Sequence, residues 1–206
     1  MSFGEQLASC RVLPVITARD VESTVRLAQA LDAGGMRAVE ITLRTPAALD
    51  SLRAVKQTVP GLMVAAGTVI NPEGLARAAE AGVDFCVSPG LTETLLRAAD
   101  EQSMRLLPGV ASASDIMLGM DHGLDLFKLF PAMAVGGMSL LKSFAGPFPD
   151  ARFCPTGGLD PDNFRDFLAL PNVICCGGSW MVSESLVRDE QWNTIESLAR
   201  EAMSYN

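Results

Sequence analysis

The stretch LFKLFP (residues 126–131) sets one lysine in the middle of an apolar run. The run is short, rich in aromatic residues and closed by proline, which indicates a buried β-strand rather than a helix. Side chains alternate between the two faces of a strand, so Lys128 shares a face with Leu126 and Phe130. Phe127 and Leu129 occupy the other face. Both faces are therefore apolar, and neither offers the lysine an easy path to water.

An enclosed lysine has a chemical use. Burying an unpaired ammonium is costly, and desolvation favours the neutral amine. The neutral amine is the form that attacks a carbonyl and forms a Schiff base. Alternatively, the stem of Lys128 runs past the end of the strand and its head reaches solvent. The run alone leaves both interpretations open.

Eight short apolar stretches of this kind recur along the chain, and each is followed by a stretch of helical character. The predicted strands cover residues 11–17, 38–43, 62–69, 84–88, 105–110, 126–130, 152–156 and 173–176. The predicted helices cover residues 20–33, 45–58, 71–81, 92–101, 112–121, 136–144, 160–168 and 189–203. Alternating strands and helices predict an α/β protein with a parallel sheet, and eight units close most simply into a (β/α)8 TIM barrel.

Local signals support this count of units. Three predicted helices open with a capping residue and then proline, at Thr45-Pro46, Asn71-Pro72 and Asp160-Pro161. Residues 1–11 predict a short N-terminal helix ahead of the barrel. No linker or change in composition divides the chain, so we expect residues 1–206 to form a single domain. A doubly wound open sheet is the alternative fold, but no G-x-G-x-x-G follows the first predicted strand.

Composition excludes several classes of partner. The formal net charge is −8, whereas nucleic acids and anionic membranes require a basic surface. No apolar run reaches the roughly 18 to 20 residues that span a bilayer. The first residues lack the basic and then apolar layout of a signal peptide. We therefore expect a cytoplasmic protein that binds neither nucleic acid nor membrane.

Histidine and cysteine usage narrows the chemistry further. The chain has one histidine, His122, next to a glycine, and the pattern predicts the last turn of a helix. One histidine excludes a metal site built on several histidines. The five cysteines show no C-x-x-C, and we interpret them as reduced core residues.

In a barrel, function lies at the carboxyl ends of the strands. In the second predicted strand Glu40 and Arg44 share a parity opposite to that of the apolar residues, which turns both toward the barrel interior. A structural ion pair between these two residues is the alternative to a chemical role. Glycines follow the seventh and eighth predicted strands, at 157–158 and 177–178, where barrels commonly bind phosphate.

Five motifs together resemble a known family. They are EITLRT (40–45), AGTV (66–69), FKLFPA (127–132), PTGG (155–158) and GGSW (177–180). In this order they are similar to the motifs of the class I 2-keto-3-deoxy-6-phosphogluconate (KDPG) aldolases, within the KDPG/4-hydroxy-2-oxoglutarate aldolase family. The resemblance extends from about residue 11 to the last predicted helix.

The resemblance implies a role for each matched residue. The lysine that forms the Schiff base matches Lys128, and the general acid/base glutamate matches Glu40. The other matched positions bind substrate: Arg44 and Thr68 at its carboxylate, Pro89, Phe130 and Thr156 along the pocket, and Gly157, Gly158, Gly178 and Ser179 at its phosphate.

The resemblance also implies an activity. It is the cleavage of KDPG to pyruvate and glyceraldehyde 3-phosphate, a lyase reaction of the Entner-Doudoroff pathway, by a homotrimer without metal or cofactor. The Leu43-Arg44-Thr45 segment favours the gluconate substrate over the galactonate isomer. Cleavage of 4-hydroxy-2-oxoglutarate or of phosphogalactonate would use the same site. A non-catalytic barrel that binds sugar phosphates would need the glycines but not Glu40, Arg44 and Lys128 together.

Overall fold

The computed structural model describes residues 1–204, and these residues contain nine short strands and ten α-helices. The strands are β1 Val12–Ile16, β2 Ala38–Thr42, β3 Met63–Gly67, β4 Phe85–Val87, β5 Leu106–Leu107, β6 Gly109–Val110, β7 Leu126–Leu129, β8 Arg152–Phe153 and β9 Cys176–Gly178. The helices are α1 Phe3–Cys10, α2 Val21–Ala33, α3 Ala48–Thr58, α4 Pro72–Glu80, α5 Glu93–Glu101, α6 Ala113–Asp121, α7 Gly137–Phe144, α8 Phe164–Leu168, α9 Glu184–Arg188 and α10 Trp192–Met203.

The strands form a parallel barrel with eight strand positions. The hydrogen-bonded order is β5-β4-β3-β2-β1-β9 in one part and β6-β7-β8 in the other. β5 and β6 are one barrel strand divided at Pro108, because proline has no N–H to continue the ladder. Parallel bridges from Phe153 to Val173 and from Thr156 to Gly177 close the seam between β8 and β9. The predicted (β/α)8 fold is confirmed.

Two groups of buried apolar side chains form the core of the protein. The larger group lies between the strands and the outer helices and includes Val39 and Ile41 of β2. The smaller group fills the barrel interior and includes Ala38 and Phe85. Side chains on one strand thus alternate between the two groups, as the two-residue period of a strand requires.

The predicted N-terminal helix is present as α1 and closes the floor of the barrel. Ser2 and Glu5 form a capping box, in which the Glu5 N–H donates to Ser2 Oγ at 3.3 Å. Leu7 and Cys10 point into the interior group, and the Phe3 ring meets the Phe85 ring edge-on at 5.1 Å. The floor is thereby sealed with apolar atoms, which leaves the carboxyl ends of the strands as the open face.

Helix starts are predicted well where the capping side chain is free to cap. Asn71 accepts from the Gly74 N–H at 2.8 Å, and α4 begins at the next residue. The Thr45 hydroxyl instead donates to the Ala18 carbonyl, so α3 begins at Ala48. Asp160 accepts from two N–H groups in a turn, and α8 begins only at Phe164. The prediction of helix starts at 45 and 160 is therefore wrong.

The last unit also differs from the prediction. The eighth barrel strand, β9, spans Cys176–Gly178 rather than 173–176, because the Cys176 N–H donates to the Arg11 carbonyl and the Gly177 N–H donates to the Pro155 carbonyl. Helix α9 was not predicted, and α10 begins at Trp192 rather than at 189. None of the helices within residues 1–204 is long and apolar enough to cross a membrane.

All five cysteines are buried and free, as predicted. Cys175 points into the barrel interior and Cys176 toward the helices, where its thiol contacts the Phe164 carbonyl. Burial raises the pKa of Cys10 and of Cys86 to about 12. His122 caps the end of α6, and its ring contacts Asp100 at 3.0 Å and Glu93 at 3.2 Å, both on α5.

Candidate active site

Lys128 and Glu40 meet inside the open end of the barrel. Lys128 is 5% exposed and Glu40 is 1% exposed. The Lys128 Nζ lies 3.1 Å from each carboxylate oxygen of Glu40, and 5.3 Å from the centre of the Phe130 ring. The lysine head therefore does not reach solvent, and its charge is balanced by a buried carboxylate rather than by water.

This contact excludes one of the two interpretations of Glu40. The side chain of Glu40 leaves β2 on the interior face, opposite to Val39 and Ile41. It pairs with Lys128 of β7 and not with Arg44, so the alternative of a structural Glu40–Arg44 pair is wrong. A buried amine held against a single carboxylate is suited to exchange one proton between the two groups.

Arg44 and Thr68 meet at the mouth of the barrel. The Arg44 Nε donates to Thr68 Oγ1 at 3.0 Å. Strand β2 ends at Thr42, so the alternation of the strand does not continue to Arg44, which is exposed at the rim instead of buried in the interior as predicted. Thr68 has a φ of 59°, a left-handed conformation that is uncommon for residues other than glycine and that often marks functional sites.

Three further predicted residues lie at the ends of their strands. Phe130 follows β7 beside Lys128. Thr156 follows β8, is 6% exposed and pairs with Gly177, which has no side chain that could displace its hydroxyl. Pro89 follows β4, and a Cβ atom at Gly109 would lie 2.3 Å from the Pro89 carbonyl, so a glycine is needed for this approach.

The predicted phosphate-binding residues lie together where β8 and β9 end. Gly157 and Gly158 have φ values of 103° and 82°, which only glycine adopts readily. At Gly178 glycine is required by space rather than by φ, because the Trp180 ring occupies the position that a side chain would fill. Ser179 is exposed and borders a cavity of about 780 Å³, whose walls also include Thr17, Arg19 and Thr45. Lys128 and Glu40 do not line this cavity.

Sequence reasoning missed a neighbour of the lysine. Cys154 is fully buried in the barrel interior directly after β8, the strand that pairs with β7, and its Sγ lies 3.9 Å from Thr156 Oγ1. A hydrogen bond from the Cys175 thiol lowers the pKa of Cys154, and the nearby Lys128 charge acts in the same direction. The register of β7 and β8 places Cys154 beside Lys128, whereas in the sequence Cys154 is indistinguishable from an ordinary core residue.

The fold and the site define a class of protein. A (β/α)8 barrel with a buried amine against a carboxylate, at the carboxyl ends of its strands, is typical of an enzyme that uses a nucleophilic lysine. The chain belongs to the family of KDPG and KHG aldolases, whose family model matches residues 4–198. The family that the motifs indicated is thereby confirmed, and the chain is a carbon–carbon lyase.

Individual relatives cover nearly the whole chain. The KHG/KDPG aldolase of Escherichia coli (strain K12) is 52% identical, over 93% of this chain and 90% of that protein. The 2-dehydro-3-deoxy-phosphogluconate aldolase of Dickeya dadantii is 50% identical, over 98% of this chain and 95% of that protein. A crystal structure of KDPG aldolase from Legionella pneumophila, with pyruvate captured as a covalent carbinolamine, matches with a TM-score of 0.96 and 42% identity, over 99% of both chains.

Proposed function

We propose that this protein is a class I aldolase that cleaves 2-dehydro-3-deoxy-6-phosphogluconate to pyruvate and glyceraldehyde 3-phosphate. The observation that carries the proposal is the buried contact between Lys128 Nζ and both carboxylate oxygens of Glu40. The names of the Dickeya and Escherichia relatives support the substrate, and the pyruvate adduct of the Legionella enzyme supports a covalent route.

The first steps form the imine. Transfer of one proton from Nζ to Glu40 leaves a neutral amine next to a carboxylic acid, which avoids free buried charge. The amine attacks the C2 ketone of the substrate and forms a carbinolamine. Glu40 returns its proton to the departing hydroxyl, water leaves, and an iminium joins C2 to Lys128.

The following steps break the carbon–carbon bond. Glu40, directly or through a water molecule, takes the proton of the C4 hydroxyl, and the electrons of the C3–C4 bond move into the iminium. Glyceraldehyde 3-phosphate leaves, and an enamine remains on Lys128. Glu40 then protonates the enamine at C3, and hydrolysis of the resulting imine releases pyruvate and restores the free lysine.

The rim residues orient the substrate in this account. Arg44, already in contact with Thr68, binds the C1 carboxylate and fixes which face of the ketone meets the amine. Pro89, Phe130 and Thr156 line the path between the two ends of the substrate. The phosphate lies near Gly157, Gly158, Gly178 and Ser179, where backbone N–H groups favour an anion.

A substrate comparison tests the proposal. Initial rates of pyruvate release are measured for KDPG, for its galactonate isomer and for unphosphorylated 4-hydroxy-2-oxoglutarate. We expect kcat/KM to be highest for KDPG. A higher value for 4-hydroxy-2-oxoglutarate would make that compound the substrate of the same site, and no release from any of the three would overturn the proposal.

We also propose, from the family resemblance, that residues 1–206 act as one domain within a cytoplasmic homotrimer. Light scattering during size-exclusion chromatography measures the mass in solution. A value of three times the chain mass is expected, and a value of one chain mass would contradict the trimer.

A further inference from the structure

Gly67, the last residue of β3, lies directly beside the Glu40 carboxylate. A Cβ atom built on Gly67 would stand 2.2 Å from Glu40 Oε1, 2.6 Å from Cγ and 2.8 Å from Cδ. Real Cβ atoms essentially never approach other heavy atoms this closely. All three of the nearest atoms belong to Glu40, so the space that a side chain at 67 would need is the space that the Glu40 side chain fills.

The backbone gives no other reason for glycine at this position. The φ of Gly67 does not fall in the left-handed region, unlike that of Gly157 or Gly158. A glycine inside a strand weakens the strand, because it has more backbone freedom to lose and no side chain to pack. Alanine would therefore suit the strand better, apart from its collision with Glu40.

The register of the sheet explains the collision. Glu40 pairs with Ala65, and Thr42 pairs with Gly67. Side chains in a strand lean along the strand direction, which carries the Glu40 carboxylate from the level of Ala65 toward that of Gly67. On its other side the carboxylate meets Lys128 Nζ at 3.1 Å. The carboxylate is thus enclosed between the bare backbone of Gly67 and the reacting amine.

We propose that Gly67 is a positioning residue of this aldolase, because its missing side chain holds the Glu40 carboxylate where it transfers protons to and from the substrate. The proposal rests on the function proposed above. Any side chain at 67 displaces the carboxylate but leaves Lys128 in place on its own strand. Steps that need the base therefore slow down, whereas the imine with pyruvate still accumulates at equilibrium, because a displaced acid/base changes the rate at which the imine forms and not its equilibrium yield.

Two assays on the variant Gly67→Ala separate these steps. Borohydride reduction with pyruvate measures the yield of imine on Lys128, and loss of the C3 protons of pyruvate in deuterated water, followed by proton NMR, measures base action. We expect the trapped yield to stay within about three-fold of wild type while exchange falls by at least about 100-fold. The control is Gly146→Ala, whose added Cβ meets no atom within 4 Å. We expect its trapped yield and its exchange rate to match those of wild type.

A double variant tests that Gly67 acts through Glu40. Once Glu40→Gln has removed the base, adding Gly67→Ala should change the residual exchange rate by less than about three-fold. If adding Gly67→Ala to Glu40→Gln lowered the exchange rate by as much as Gly67→Ala does alone, the proposal would be overturned. It would also be overturned if exchange in Gly67→Ala were unchanged, or if exchange and trapping fell equally. Wild-type protein that neither traps pyruvate nor cleaves KDPG would instead refute the proposed function.

Failure of Gly67→Ala to fold would also be informative. Truncation in Glu40→Ala removes the three atoms that lie nearest to the new Cβ. The proposal then predicts that Gly67→Ala/Glu40→Ala folds with a thermal midpoint no lower than that of Glu40→Ala alone. If the double variant also fails to fold, the glycine serves the backbone and the proposal is wrong.

Discussion

The Lys128 Nζ lies 3.1 Å from both carboxylate oxygens of Glu40, across 88 positions of sequence. Each group is buried, and each neutralises the charge of the other. A buried pair of this kind is weak evidence for stability, because desolvation offsets much of its attraction. Its place at the open end of a barrel instead suggests a chemical role, which replacement of either Lys128 or Glu40 should abolish or impair.

Replacing Lys128 by alanine should abolish cleavage of KDPG, because neither of the other two lysines is in contact with Glu40. The rate of pyruvate release measures the effect. Lys142→Ala removes an exposed lysine on α7 and serves as the matched control, with full activity expected. A purified, folded Lys128→Ala protein that keeps a substantial rate would refute the nucleophile.

Replacing Glu40 by glutamine keeps the shape of the side chain but removes the base. We expect Glu40→Gln to form a trappable imine with pyruvate and to cleave KDPG at least about 100-fold more slowly than wild type. Peptide mass after borohydride reduction gives the first quantity and steady-state kinetics the second. Wild-type cleavage, or the absence of any adduct, would contradict the role assigned to Glu40.

Arg44 should act on binding of the substrate carboxylate. Replacement by alanine should lower kcat/KM for KDPG by about 10- to 100-fold, the range expected when one charge-assisted hydrogen bond is lost. Arg44→Lys should recover only part of the loss, because lysine lacks the planar fork that grips a carboxylate. Arg53→Ala, which removes an arginine paired with Asp50 on α3, is the control. Equal kinetics for the Arg44 and Arg53 variants would sink the assignment.

His122 should make stability depend on pH. Hydrogen bonds to Asp100 and then to Glu93 raise the pKa of His122 above its ordinary value. The protonated ring therefore stabilises the fold fully below about pH 6.5, and this contribution is lost as the pH rises through the raised folded-state pKa. The wild-type minus His122→Gln difference in thermal midpoint should be larger at about pH 5.5 than at about pH 9. A difference that is constant or grows with pH would show that the contacts with α5 do not act through charge.

Much of the fold follows from local pattern. Apolar runs, caps and terminal glycines predict eight units, because each signal acts within a few residues. Boundaries fail where a side chain has a tertiary partner, as Thr45 has in the Ala18 carbonyl. Pro108 divides a strand that the apolar run predicts as continuous, because it supplies no N–H. These outcomes depend on neighbouring strands, and one segment alone does not contain them.

The sequence suggested which residues belong to the candidate site but not which of them are in contact. Parity turned Glu40 inward, and wrongly Arg44 as well, whereas the role of Lys128 came from its apolar setting and from the motif resemblance. The pairing of Glu40 with Lys128 depends on how the barrel brings β2 and β7 face to face, which no single run of residues encodes. The proposed role of Gly67 could not be predicted from sequence for the same reason, because it depends on the absence of a side chain beside Glu40 on the neighbouring strand β2.

Borohydride reduction of the wild-type protein with pyruvate, followed by intact mass and peptide mapping, tests the central claim most directly. The account predicts one pyruvate-sized adduct per chain, on the peptide that carries Lys128. No adduct, or an adduct on Lys56 or Lys142, would contradict a Schiff-base mechanism and would favour a barrel that only binds sugar phosphates.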